Sequence, residues 1–224
     1  MPRKKRPLAA AGPYVALIAD MVSSRDLSPS KRSLVQEDFT RLIEGLNQLY
    51  KDDLRARFVI TLGDEFQGLI ANPQMIPQLV WTLERRFTAR PLRLGFGYGS
   101  IHTSIKDYAI NLDGPALHNA RAAIERAKHH DLRGGVFDGF GQALDPALNG
   151  FARVLYHQRA NWPARQRAVI MQLHEGRKGT EIARELGVTK QAVSRYATLA
   201  GWNAYLEAEQ GWSALLGTLA EPEP

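Results

Sequence analysis

"ITLGDEFQGLI", residues 60–70, sets two adjacent carboxylates, Asp64 and Glu65, between two apolar runs. The ordinary reading is a turn: Gly-Asp suits a hairpin tip, and a carboxylate there costs little when water reaches it. The sharper reading is a tip that holds a metal ion. On both readings the flanks "RARFVITL" (55–62) and "FQGLI" (66–70) are the two short strands of a hairpin.

Outward from the hairpin, "YVALIAD" (14–20) is a continuous apolar run ending in an acid, which suits a central strand buried on both faces. Val35, Phe39, Leu42, Ile43, Leu46 and Leu49 recur at spacings of three and four, the period of an amphipathic helix. "PQMIPQLVWTLERRF" (73–87) reads as a second helix with Pro77 in its first turn, where proline is tolerated. "LRLGFGYGSI" (92–101) is a Gly-rich strand, and "GPALHNARAAIERAK" (114–128) is a third helix. The order β-α-β-β-α-β, followed by a helix, predicts a sheet with helices on one face in the ferredoxin-like or palm style. That topology makes the first strand and the hairpin neighbours at the sheet centre. Asp20 and Asp64 then converge on one edge, and two converging carboxylates repel unless a cation lies between them. Mg²⁺, with Mn²⁺ as a substitute, takes one or two carboxylates and completes its shell with water and phosphate oxygens.

This gives a first set of candidate residues. Asp20, Asp64 and Glu65 are the metal-ligand candidates, although neighbouring positions on a tip point apart and weaken the case for Glu65. Ser23, Ser24 and Arg25 follow the first strand, where backbone amides cradle a phosphate and Arg25 adds charge; a solvated loop is the plain alternative. His102 and His118 are candidate polar contacts in the same cleft, against the commoner structural histidine. Arg121 is a candidate for phosphate or acid pairing from the third helix, against an ordinary surface ion pair.

Composition bounds the rest. With 224 residues the chain can build one large domain or a medium domain plus a small one, and 44% hydrophobic residues is ordinary for a soluble protein. No uncharged apolar run reaches the roughly 18 residues of a membrane span. The start, "MPRKKRPLAAAGP", is too short in its apolar part and too Pro-interrupted for a signal peptide, so residues 1–13 read as a disordered basic arm. The chain has no cysteine, which excludes disulfides and Cys-based zinc sites and points to a cytoplasmic setting. The net charge of +6 is unevenly spread. Residues 14–150 sum to zero, whereas residues 151–202 hold nine basic and three acidic side chains. A neutral domain joined to a basic block is how an attached nucleic-acid-binding module looks.

Within that block, "ARQRAVIMQLHEGRKGTEIARELGVTKQAVSRYATLAGW" (164–202) has helix-turn-helix character. Val169, Ile170 and Leu173 form one apolar face, and Thr180 opens "TEIAREL" with Ile182, Ala183 and Leu186 inward. Gly187 allows the tight turn, Val188 packs, and Thr189 caps "KQAVSRYATLA". The second helix of the motif would lie in the major groove. Its DNA-binding candidates are Thr189, Lys190, Gln191, Ser194 and Arg195, with Gln able to read adenine and Arg guanine. Thr180, with Arg177 and Lys178, would sit near backbone phosphates. The plain alternative is a motif used only for packing or dimer contacts. "GWNAYLEAEQGWSALLGTL" (201–219) is a closing helix that covers the module or mediates dimers, and 220–224 reads as a disordered tail.

Several of these stretches are collinear with known proteins. "VALIADMVSS", "FVITLGDEFQGLI", "LRLGFGYGSIHTS" and "YAINLDGPALHNARAAIERAK" resemble, in order, the metal-binding strand, hairpin, Gly-rich strand and catalytic helix of palm-type nucleotidyl cyclases, class III and diguanylate. Over nearly the whole chain the sequence resembles the SatD family, with its N-terminal "D…GDEFQG" pattern and C-terminal helix-turn-helix. There is one departure. The cyclase helix carries an Asn and, four residues later, an Arg. Placing His118 on the Asn puts Ala122 at the Arg, and placing Arg121 on the Arg puts Leu117 at the Asn.

The expectations are therefore an α+β protein, with a ferredoxin-like or palm (nucleotidyl cyclase-like) domain over 14–150 and an all-α helix-turn-helix domain over 151–219. The expected function is a DNA-binding bacterial regulator whose first domain binds Mg²⁺ with a nucleotide or phosphate ligand. The alternative is a metal-dependent nucleotidyl cyclase or nucleotidyltransferase-like enzyme tethered to DNA, with Asp20, Asp64 and Arg121 as its catalytic residues. The expected partners are double-stranded DNA, a nucleotide and a second copy of the chain in a homodimer.

Overall fold

In the computed structural model, which describes residues 12–23 and 28–220, β1 (Tyr14–Met21) is buried almost throughout. The reason is visible in its alternation. Val15, Leu17, Ala19 and Met21 face one apolar core with α1 (Pro29–Leu49) and α2 (Ile76–Arg86). Ala16 and Ile18 face a second core with Ala116, Ala120 and Ile124 of α3 (Pro115–His129). Helices therefore cover both faces of the sheet, not the single face expected from the order of elements.

The remaining strands are β2 (Leu54–Leu62), β3 (Glu65–Ile70), β4 (Leu92–Gly99) and β5 (Val136–Asp138), in the order β2-β3-β1-β4-β5. β1 pairs antiparallel with β3 and β4, so the first strand and the hairpin are direct neighbours. β5 adds a short parallel edge that the sequence pattern does not announce. Two glycines on β4 set the distance to α3. A Cβ at Gly97 would collide with the backbone of Ala116 and Ala120, and one at Gly95 would come within 2.6 Å of Ala120 O and Ile124 N. The helix thus lies directly on the strand backbone, which only glycine permits.

Five more helices complete the chain: α4 (Leu144–Ala160), α5 (Ala164–His174), α6 (Gly179–Glu185), α7 (Lys190–Leu199) and α8 (Trp202–Gly217). Here the expected fold class is overturned. Among the described residues the protein is a mixed α/β structure with one five-stranded sheet and eight α-helices spread through the chain, and no distinct all-α C-terminal domain is present. The position expected for the change of domain, residues 150–151, falls inside α4. The physical reason is aromatic. Trp162, Trp202, Tyr205 and Trp212, all beyond that point, belong to the same apolar core as Phe39, Phe66 and Trp81 of the first half. Trp212 of α8 meets Phe137 of β5 at 5.6 Å, and Trp81 of α2 stacks on His174 of α5 at 4.0 Å. Charge and helix-turn-helix spacing mark surface chemistry; neither reports which helix face the sheet recruits.

A polar chain, largely buried except at Glu84, ties the same parts together. Arg159 of α4 donates two hydrogen bonds to Glu84 of α2, at 2.7 and 2.9 Å, and a third to the Tyr205 hydroxyl of α8 at 2.9 Å. Tyr205 donates to Glu209 at 3.1 Å, and Glu209 also holds His174 at 2.8 Å. Burial pushes the Tyr205 hydroxyl well above its ordinary value, so it stays a donor at every physiological pH.

Candidate functional site

The acids named from the sequence do gather at one end of the sheet. Asp20 lies opposite Glu65 on one side and Arg93 on the other, and directly paired residues share a face. That face is the one under α3. The Met21 N–H donates to the Asp64 carbonyl at 2.9 Å, which pins the hairpin turn against β1. Asp64 is close enough for its charge to act on Asp20.

α3 lays two cations over these acids: Arg121, which the sequence reading named for acid or phosphate pairing, and Lys128, which it did not foresee. Arg121 grips Glu65 through two hydrogen bonds, at 2.6 and 2.8 Å, and the Thr61 hydroxyl adds a third at 3.1 Å. Burial alone would raise the Glu65 carboxyl, but the bonds and charge of Arg121 outweigh it and hold the group below the usual carboxylate range. Lys128, two turns further along, approaches Asp20 at 3.4 Å and Glu125 at 3.0 Å. For Asp20 the balance reverses. Burial raises its carboxyl, and the charges of Lys128 and Arg93 offset this only in part. Its second oxygen, Oδ1, is buried and has no hydrogen-bond partner. The signal for Lys128 was present in the sequence. Arg121, Glu125 and Lys128 follow at four and three, one stripe along α3.

Carboxylates such as those of Asp20 and Asp64 are the kind of oxygen donor that a hard divalent ion uses. Glu65 does not fit that role, because both its oxygens are engaged by Arg121. Among the described residues no group of three or more His, Asp or Glu side chains is arranged to hold a metal ion. Of the phosphate-cradle candidates, Ser23 is exposed with φ of 53°, while Ser24 and Arg25 lie outside the described residues. So do residues 1–11 of the basic arm and 221–224 of the tail. His118 stands apart from the acids, exposed and paired with Asp113 at 2.8 Å.

The second gathering is on α5–α7. Val169, Ile182, Ala183 and Val193 form a small core of their own, separate from the large one. Gly187 turns the chain between α6 and α7 at φ of 63°, a conformation that favours glycine. The Thr189 hydroxyl accepts from the Ala192 N–H at 3.1 Å and caps α7. With Val193 held inward, Lys190, Gln191, Ser194 and Arg195 are exposed together, and Thr180 and Lys178 are exposed at the start of α6. Arg177 is instead tied to Glu185 at 2.6 Å.

The family model for SatD matches residues 14–213. The chain belongs to the SatD family. That match spans the sheet and the C-terminal helices alike, as the shared core does. No curated protein is significantly similar to the chain. Among solved structures, the crystal structure of a regulator of polyketide synthase expression from Bifidobacterium adolescentis aligns over 95% of this chain and 83% of its own, at 16% identity and a TM-score of 0.27. A similarity of that degree carries no argument about fold or function. Among the described residues no helix is long and apolar enough to cross a membrane.

Proposed function

We propose that this SatD-family chain is a DNA-binding regulator that uses α6 and α7 as a helix-turn-helix, with α7 in the major groove. One observation carries the reading: Gln191, Ser194 and Arg195 stand exposed on a helix whose other face is locked by its own small core. A side chain that reads a base must be free on one side and rigidly held on the other. The +6 charge of residues 151–202 supports the same reading, because phosphate attraction supplies most of non-specific affinity. The test is fluorescence anisotropy with labelled duplex fragments at low and moderate salt. Arg195→Ala is expected to weaken binding by about 1–3 kcal/mol and to relax sequence preference, whereas Lys178→Ala lowers the salt slope by about one. Absence of binding by the wild type in low salt overturns the reading.

A second reading assigns Mg²⁺ and a nucleotide or phosphate ligand to the Asp20–Asp64 edge. The buried, unpartnered Oδ1 of Asp20 favours it. Arg121 counts against its catalytic form, since a guanidinium bound bidentately to Glu65 is not free to meet a phosphate. Calorimetry with Mg²⁺ and ATP or GTP, repeated on Asp64→Ala, tests the binding. Analysis of the nucleotide products tests for cyclase or transferase chemistry.

A further inference from the structure

We propose that the cleft bounded by α2, the start of β4, α4 and α5 binds a small organic anion with an aromatic body. The cleft lies on the face of the sheet opposite α3 and measures about 400 Å³, a size that holds a ligand of one or two rings. Its walls include Trp81 and Trp162, with Leu94 and Met171 beside them, all flat or pliant apolar surface suited to an aromatic ring.

The lining is strongly one-signed. Five arginines border it, Arg85, Arg90, Arg133, Arg159 and Arg167, against one acid, Glu84. Three of the five have carboxylate partners: Arg159 holds Glu84, Arg85 holds Glu175, and Arg133 holds Asp131. Arg90 and Arg167 have none among the described residues, and Arg167 reaches only the carbonyls of Ala160 and Trp162, both at 3.3 Å. Cations without counter-charge in a concave, apolar-walled cleft focus a positive potential there. Guanidinium groups match a carboxylate or phosphate in a planar, two-bonded geometry. An anionic group on Arg90 and Arg167, with a ring laid toward the tryptophans, satisfies both halves of the lining. The inference concerns the cleft alone and does not rest on the DNA reading.

The experiment titrates the full chain with three probes, following tryptophan fluorescence and confirming by calorimetry. Indole-3-acetate offers a ring with a carboxylate, adenosine monophosphate a ring with a phosphate, and indole-3-ethanol a ring with no charge. Saturable binding of at least one anion is expected, with the neutral alcohol weaker by about tenfold or more. Which anion binds better tells carboxylate from phosphate. The double variant Arg90→Gln, Arg167→Gln is expected to lose about tenfold in affinity at unchanged melting temperature. The proposal is overturned if neither anion saturates by roughly millimolar concentration, if the alcohol binds as tightly as the anions, or if the double variant binds them like wild type while losing DNA affinity.

Discussion

Asp20 and Glu65 face each other across one strand pair, share a helix above them, and titrate in opposite directions. Glu65 has a bidentate arginine and a hydroxyl; Asp20 has a lysine at 3.4 Å and an oxygen with no partner. A group whose folded pKa is raised contributes stability below its ordinary value, 3.8 for Asp20, and loses it as pH climbs through the folded value. Ionised Asp20 therefore costs stability at neutral pH, and Asp20→Asn is expected to raise Tm there, with the gain vanishing in acid below about pH 4. Glu65 runs the other way. Its lowered pKa contributes stability above its ordinary value, 4.5, which is lost as pH falls through the folded value. Glu65→Gln is expected to lower Tm at neutral pH, with the gap closing in acid. Thermal melts of both variants from pH 3 to 8 check the pair. A lower Tm for Asp20→Asn at pH 7 would show that Lys128 satisfies Asp20 after all. A residue that is destabilising where it stands is a common mark of a working site.

At the scale of elements, the contact of α3 with β4 is the tightest joint near the acids. Gly97→Ala is expected to cost about 3 kcal/mol, roughly a 6–12 °C fall in Tm, because the new methyl meets helix backbone that has no rotamer to yield. A variant that melts within a degree or two of wild type would show that α3 can lift. This joint also explains what was legible in the chain. The apolar pattern gave β1 through α3 to within a few residues, because an unbroken apolar run states burial on both faces and a periodic one states burial on one. The adjacency of Asp20 to the hairpin followed from strand order. Two things were not legible. β5 is three residues long between glycines, too short to show a period. The side of the sheet that each helix covers depends on tertiary partners, so the meeting of Lys128 with Asp20 could not be read, even though the Arg121, Glu125 and Lys128 stripe was plain. The helices after residue 150 were recognised by their turn and charge, and that chemistry concealed that α5 and α8 also pack into the main core.

For the molecule as a whole, the shared aromatic core makes a definite claim about cooperativity. Sheet and C-terminal helices are expected to unfold in one transition, with calorimetric and van't Hoff enthalpies equal. Two resolved transitions would restore separable parts. Arg159 is the sharpest probe of that union, since it is buried and holds α2 and α8 at once. Arg159→Ala leaves the buried Tyr205 hydroxyl without its donor and an exposed Glu84 to water, and a loss of about 1–3 kcal/mol is expected, read as a shift of the whole transition and not of one part. A loss under about 1 kcal/mol would mean that water replaces the guanidinium freely.

The Glu84–Arg159 pair also constrains how sequences of this architecture can drift. Losing the glutamate strands the buried guanidinium's charge inside the protein, whereas losing the arginine leaves a carboxylate that water reaches. Positions 84 and 159, seventy-five residues apart, are therefore linked in one direction: wherever a relative with this core lacks the glutamate, it should lack the arginine as well.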